Sequence, residues 1–140
     1  MTLRALTLAA AVATGATPAL AFNPECGLYQ YEAKVVSVYD GDTVRADIDL
    51  GFNTWRHNEP LRLHGIDTPE LRGKGVTDAE KADAEKARDA LREKILGKAV
   101  LVCTIKDRTG KYGRYLARIF VDGENVNEWL LREGYAVPYE

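Results

Sequence analysis

The polar and apolar positions begin to alternate in the stretch VVSVYDGDTVRADI, residues 35–48. Val44, Ala46, Ile48 and Leu50 fall on one face, and Arg45, Asp47 and Asp49 fall on the other. This is the period of a half-buried strand. The pattern predicts strands over residues 31–39 and 43–50. Asp40-Gly41 joins them, a dipeptide favoured in type I′ turns because both central residues need positive φ. GFNTWRHNEP, residues 51–60, reads as a long mixed loop, and 61–66 as a third strand. Pro69 cannot donate to a ladder and biases Thr68 towards an extended conformation, so the third strand gives way to a turn at Asp67-Thr68-Pro69-Glu70.

After the glycine-punctuated LRGKGV, the period changes to that of a helix. Ala84, Ala87, Leu91 and Ile95 mark one stripe of a helix over 77–96, with Thr77 and Glu80 as a capping box and Gly97 as its stop. A continuous apolar strand is predicted over 99–105. A basic loop, KDRTGKYGR, follows, then a strand over 115–121 and a short helix over 126–133 that ends at Gly134. Three strands, a helix, two strands and a helix predict an α+β fold: a five-stranded OB-type β-barrel with a long helix after strand 3 and a short C-terminal helix.

Composition narrows this picture. With 140 residues, 46% of them hydrophobic and 29% charged, the chain has room for one domain around one core. A net charge of -2 exerts no global pull on a polyanion, so any such affinity must come from a local cluster. Residues 1–21, MTLRALTLAAAVATGATPALA, are expected to be a secretory signal peptide. Arg4 precedes an apolar run, Gly15 and Pro18 break it, and Ala19-Leu20-Ala21 fits a cleavage site. The run is too short and too interrupted for a spanning helix of roughly 20 apolar residues. Residues 22–140 are then a single domain, secreted or periplasmic, with no stable membrane association once the leader is removed. Export also lets the two cysteines pair. A Cys₂His₂ zinc site from Cys26, Cys103, His57 and His64 has no recognisable spacing.

Four segments carry the candidate chemistry: DGDT at 40–43, RLHGIDTPE at 62–70, KYGR at 111–114 and VNEWLLREG at 126–134. Asp42 and Asp67 each stand where an apolar strand yields to a turn. Two carboxylates and a backbone carbonyl make a hard-oxygen site suited to Ca²⁺, the alternative being ordinary surface turn acids. Glu70 can accept a proton from an attacking water, or be a solvated loop acid. Arg62 and Arg114 offer planar, permanently charged guanidinium groups that bind two phosphate oxygens at once. His64 reads as a partly buried strand residue, and Trp55 and Trp129 as packing.

In this order and at these intervals, the four segments resemble the staphylococcal (micrococcal) nuclease family, the thermonuclease-like proteins. The resemblance implies a calcium-dependent nuclease that cleaves DNA and RNA, best as single strands, and leaves 3′-phosphate ends. It implies that Asp42, Asp67 and the Thr68 carbonyl bind Ca²⁺. Glu70 would be the general base or the organiser of the water network, and Arg62 and Arg114 would clamp the phosphate. Lys111 and Tyr112 match positions that hold a terminal phosphate, and Tyr139 matches a tyrosine beside the base. A non-catalytic OB-fold nucleic-acid-binding module is the alternative, and a monomer is expected. In such a barrel the first strand pairs antiparallel with the strand at 99–105. The start of one then lies beside the end of the other, which predicts a Cys26–Cys103 disulfide closing a loop of roughly 75 residues.

Overall fold

A computed structural model describes residues 22–140. The leader expected over 1–21 lies outside the described residues. Strands β1 (Gln30–Val38), β2 (Thr43–Asp49) and β3 (Trp55–Leu63) form an antiparallel meander. After β3 come the two-residue strand β4 (Ile66–Asp67) and helix α1 (Asp78–Ile95). The chain returns through β5 (Ala99–Thr109), β6 (Tyr115–Val121) and β7 (Glu124–Asn125). It finishes with α2 (Val126–Arg132) and β8 (Val137–Pro138).

The sheet runs in the order β3-β2-β1-β5-β6-β7, and a parallel pairing of β3 with β6 closes it. β1, β2, β3, β5 and β6 thus make a five-stranded mixed barrel of the OB type, as the sequence pattern predicts. Its interior is filled by the inward positions of those strands. Val35, Val44, Leu61, Leu63, Val100, Val102 and Ile119 are fully buried there. α1 lays its predicted stripe, Ala84, Ala87, Leu91 and Ile95, against this core. Thr77 caps the helix by accepting from the Glu80 N–H at 3.2 Å. Gly97, at φ +73°, reverses the chain so that its N–H meets Val35 O at 2.9 Å. Among the described residues, no helix is long and apolar enough to cross a membrane.

Cys26 and Cys103 are joined in a disulfide, their Cα atoms 5.4 Å apart across 77 positions of sequence. Cys103 pairs with Gln30 at the start of β1, which brings the segment before β1 within reach.

Three local expectations are corrected. Residues 51–60 are not a long loop. Phe52 and Asn53 (φ +50° and +57°) form a two-residue turn in which Thr54 N–H donates to Gly51 O at 2.8 Å, and β3 begins at Trp55. The polar side chains at 55–59 disguise a strand that projects beyond the core, where burial no longer enforces alternation. The basic stretch 106–109 is likewise part of β5, kinked where Lys106 and Asp107 both take positive φ. The Asp40-Gly41 turn is not of type I′, since neither residue has positive φ. Gly41 is required for another reason: a Cβ there would lie 2.7 Å from Thr68 Cγ2.

Candidate active site

The register of β2 on β3 places Thr43 directly opposite Arg62, both on the outer face of the barrel. Asp42 immediately precedes β2, and its carbonyl accepts from the Leu63 N–H at 2.8 Å, so the strand end of β3 fixes its position. The Asp42 side chain is turned inward, only 6% exposed. Its Oδ2 accepts from Thr68 N–H at 3.0 Å and Thr68 Oγ1 at 3.1 Å, and its Oδ1 from Thr43 Oγ1 at 3.2 Å. Asp42 and Thr68 can approach this closely only because Gly41 leaves the space for Thr68.

Arg62 stitches the two acids together. Its Nη1 reaches Asp42 Oδ2 at 3.1 Å and donates to Leu63 O and Ile66 O, both at 3.0 Å. Its Nη2 donates to Asp67 Oδ1 at 2.9 Å. Asp67 Oδ2 accepts no hydrogen bond from the described residues. Desolvation pushes the Asp42 carboxyl above the ordinary aspartate range, and the nearby Asp40 charge adds to this. Arg62 and the Thr68 N–H pull the other way. A buried carboxylate so placed favours a cation beside it.

Arg114 joins the same cluster through Thr43, donating from Nη1 to Thr43 Oγ1 at 2.9 Å. It stands at the end of a 3₁₀ turn over Lys111–Gly113, and its Nε donates to Lys111 O at 3.3 Å. The Arg114 guanidinium lies 5.5 Å from the Tyr112 ring centroid. Tyr112 has φ +61° and is 90% exposed.

The structure therefore gathers five of the expected residues, Asp42, Arg62, Asp67, Thr68 and Arg114, in one hydrogen-bonded cluster. Lys111 and Tyr112 flank it. Glu70 is exposed two residues beyond Thr68 and makes no hydrogen bond within the described residues. Tyr139 lies near by way of the backbone: its N–H donates to Gly65 O at 3.0 Å, and β8 pairs with β4, which carries Asp67. His64 stands just past β3 and is exposed, not partly buried in the strand. Trp129 packs against the core, with Lys94 over its ring at 4.4 Å, but Trp55 does not pack as expected.

Two residues of the assembly were not singled out from the sequence. Thr43 links Arg114 to Asp42, and its signal was available: it completes DGDT and has the outward parity of β2. Asn127 is 3% exposed in α2. Its Nδ2 donates to His64 O at 2.9 Å and Ala117 O at 3.1 Å, while its Oδ1 accepts from the Ile119 N–H at 3.2 Å. It ties the end of β3 to β6, and nothing in a short amphipathic helix marks that burial.

The donor chemistry suits a hard cation. All the candidate ligands are oxygens, and Arg62 already shows that a positive group is held between both carboxylates. Among the described residues, no group of three or more His, Cys, Asp or Glu side chains could hold a metal, so the cation would rest on two carboxylates.

A family model for staphylococcal nuclease homologues matches residues 60–140. The chain belongs to the staphylococcal nuclease family. The thermonuclease of Staphylococcus hyicus is 34% identical, with 74% of this chain and 56% of that protein covered. The SPbeta prophage-derived endonuclease YokF of Bacillus subtilis (strain 168) is 37% identical, covering 69% and 30%. An uncharacterized protein of Methanocaldococcus jannaschii, MJ1439, is 35% identical over 78% and 59%. The chain spans about half the length of the curated relatives it matches. The match to the family model includes Arg62, Asp67, Thr68, Glu70 and Arg114 but begins beyond Asp42 and beyond the β2–β3 turn.

Proposed function

We propose that this protein is a calcium-dependent nuclease that hydrolyses phosphodiester bonds in DNA and RNA to 3′-phosphate products. The observation that carries this reading is the single cluster of Asp42, Arg62, Asp67, Thr68 and Arg114 on one end of the barrel. Asp42, Asp67 and the Thr68 carbonyl would hold Ca²⁺, which supplies positive charge to position and polarise a phosphate. Two carboxylates bind such an ion weakly, which suits a calcium-rich compartment outside the cytoplasm. The Cys26–Cys103 disulfide is consistent with that location, as is a cleaved leader over 1–21.

In this reading Glu70, which makes no hydrogen bond within the described residues, takes a proton from the attacking water. Arg62 is already tethered at its Nη atoms, so it is held rigid with Nε left to meet a phosphate oxygen. Arg114 turns from Thr43 towards the opposite oxygen, and the pair stabilises the charge that grows on phosphorus. Lys111 and Tyr112 contact a flanking phosphate, and Tyr139 flanks the base. Unpaired strands fit best, because Tyr112 offers a free ring face to a base.

A direct assay tests this. Purified protein should degrade plasmid DNA with millimolar calcium and stop on addition of chelator. Intact plasmid under both conditions would refute the reading.

A further inference from the structure

The β2–β3 hairpin carries a feature that its fold does not require. At its tip Phe52, a bulky residue, takes φ +50° and is 104% exposed. The left-handed conformation is costly for such a side chain, and no burial offsets it here. Three residues on, Trp55 is 45% exposed and stacks on His57, ring centroids 6.2 Å apart with planes 9° from parallel.

The register shows which face these rings occupy. Asp49 pairs with Trp55, Arg45 with Pro60 and Thr43 with Arg62, and all of these alternate with the buried Val44, Ala46 and Ile48. A bulge at His57-Asn58 faces Asp47, with Asn58 at φ +55°, Asn58 N–H donating to Asp47 Oδ1 at 2.8 Å and His57 Nδ1 3.3 Å from the same oxygen. Trp55, His57, Pro60 and Arg62 therefore line one outer face of β3. At about 3.4 Å per residue, with one residue lost to the bulge, Trp55 stands ~20 Å from Arg62.

We propose that this hairpin is a base-stacking subsite for the unpaired strand whose phosphate lies at Arg62 and Arg114. The inference rests on the nuclease reading above. The strand would run along the β2–β3 face, the face by which OB folds take oligonucleotides. About six nucleotides at a stacked spacing of ~3.4 Å, or fewer if stretched, separate the two points. Stacking, not charge, supplies the affinity. Besides Arg62, this face carries Arg45, bonded to Asn58 O at 2.8 Å, and the exposed Lys34 of β1, which pairs with Asp47, so that cations and acids nearly balance. The acids Asp47 and Asp49 are engaged by His57, Asn58 N–H and Gly51 N–H. A stacked base accordingly sees an aromatic face with little net charge, so binding here varies little with salt.

The test compares oligothymidylates of three and twelve residues on wild type, Trp55→Ala and Trp55→Phe. Trp55→Ala should raise KM for the twelve-mer about 5- to 100-fold at any salt, the range of one lost stack. It should leave KM for the trimer alone, and Trp55→Phe should restore most of the loss. An equal change on both lengths, or none, overturns the proposal. A second arm removes catalysis: in Glu70→Gln protein the twelve-mer should quench tryptophan emission, and Trp55→Phe should abolish the quench while Trp129 still emits. Absence of that quench also overturns it. If the quench appears but wild type cuts neither oligomer with calcium, the nuclease reading falls and the stacking site stands.

Discussion

The two ends of β3 obey opposite rules. At Arg62 the Nη atoms are answered within the molecule: they serve two carboxylates and two carbonyls, and Asp42 is buried against Thr68. At Trp55, seven residues earlier, the side chains face water and the turn beyond holds a strained, fully exposed phenylalanine. Both departures from ordinary packing are costly, one through a desolvated charge and the other through backbone strain and exposed apolar surface. The first is balanced by hydrogen bonds within the molecule. The second has no partner among the described residues, and this is what the proposed stacking subsite answers.

This contrast can be broken at its catalytic end first. Arg114→Ala and Glu70→Gln should each lower kcat by about 10²- to 10³-fold while leaving the thermal midpoint and KM for long oligomers close to wild type. A parallel loss of kcat in Trp55→Ala would erase the distinction between the two ends. Next in size is the disulfide, remote from both. The double variant Cys26→Ser/Cys103→Ser should lose about 2–5 kcal/mol in denaturant unfolding, yet cleave at the wild-type rate per folded molecule. Selective loss of activity in that variant would mean the cluster depends on the N-terminal segment.

Asn127→Ala should cost about 1–3 kcal/mol, because it leaves His64 O and the Ile119 N–H without their Asn127 partner, while Ala117 O keeps the His64 N–H. Since these groups position Arg62, kcat should fall more than the loss of folded protein explains; an Asn127→Ala protein as active as wild type would show that the barrel alone positions the site. The smallest effect is expected at the hairpin tip. Phe52→Gly should leave stability unchanged or raise it by about 1 kcal/mol, since glycine takes positive φ without penalty. A clear loss of stability would mean that Phe52 serves the fold after all.

Much of this architecture was legible in the sequence. The stripe of α1, the cap at Thr77, the stop at Gly97 and the order of elements follow from periodicity and turn chemistry, because burial imposes both, and the pairing of β1 with β5 follows from the barrel topology that this order predicts. The site acids and arginines were legible for a different reason: they sit at strand ends inside short segments of fixed order. What escaped was structure without burial. The start of β3, Trp55 to Asn58, is exposed at every position and so does not alternate, and it reads as a loop. Asn127 escaped for the converse reason: its burial depends on the arrival of β3 and β6, which α2 alone does not announce. The role of Gly41 was misread because close approach and positive φ both select glycine, and only the position of Thr68 separates them.

The central claim is that a cation held by Asp42 and Asp67 and a phosphate held by Arg62 and Arg114 meet at one point. Initial cleavage rate against calcium concentration, on matched single- and double-stranded oligomers, tests it most directly. The account predicts a rate that is negligible in chelator, saturates in the millimolar range and is higher on the single strand. A rate indifferent to calcium, or one that survives Asp42→Asn and Asp67→Asn together, would contradict it.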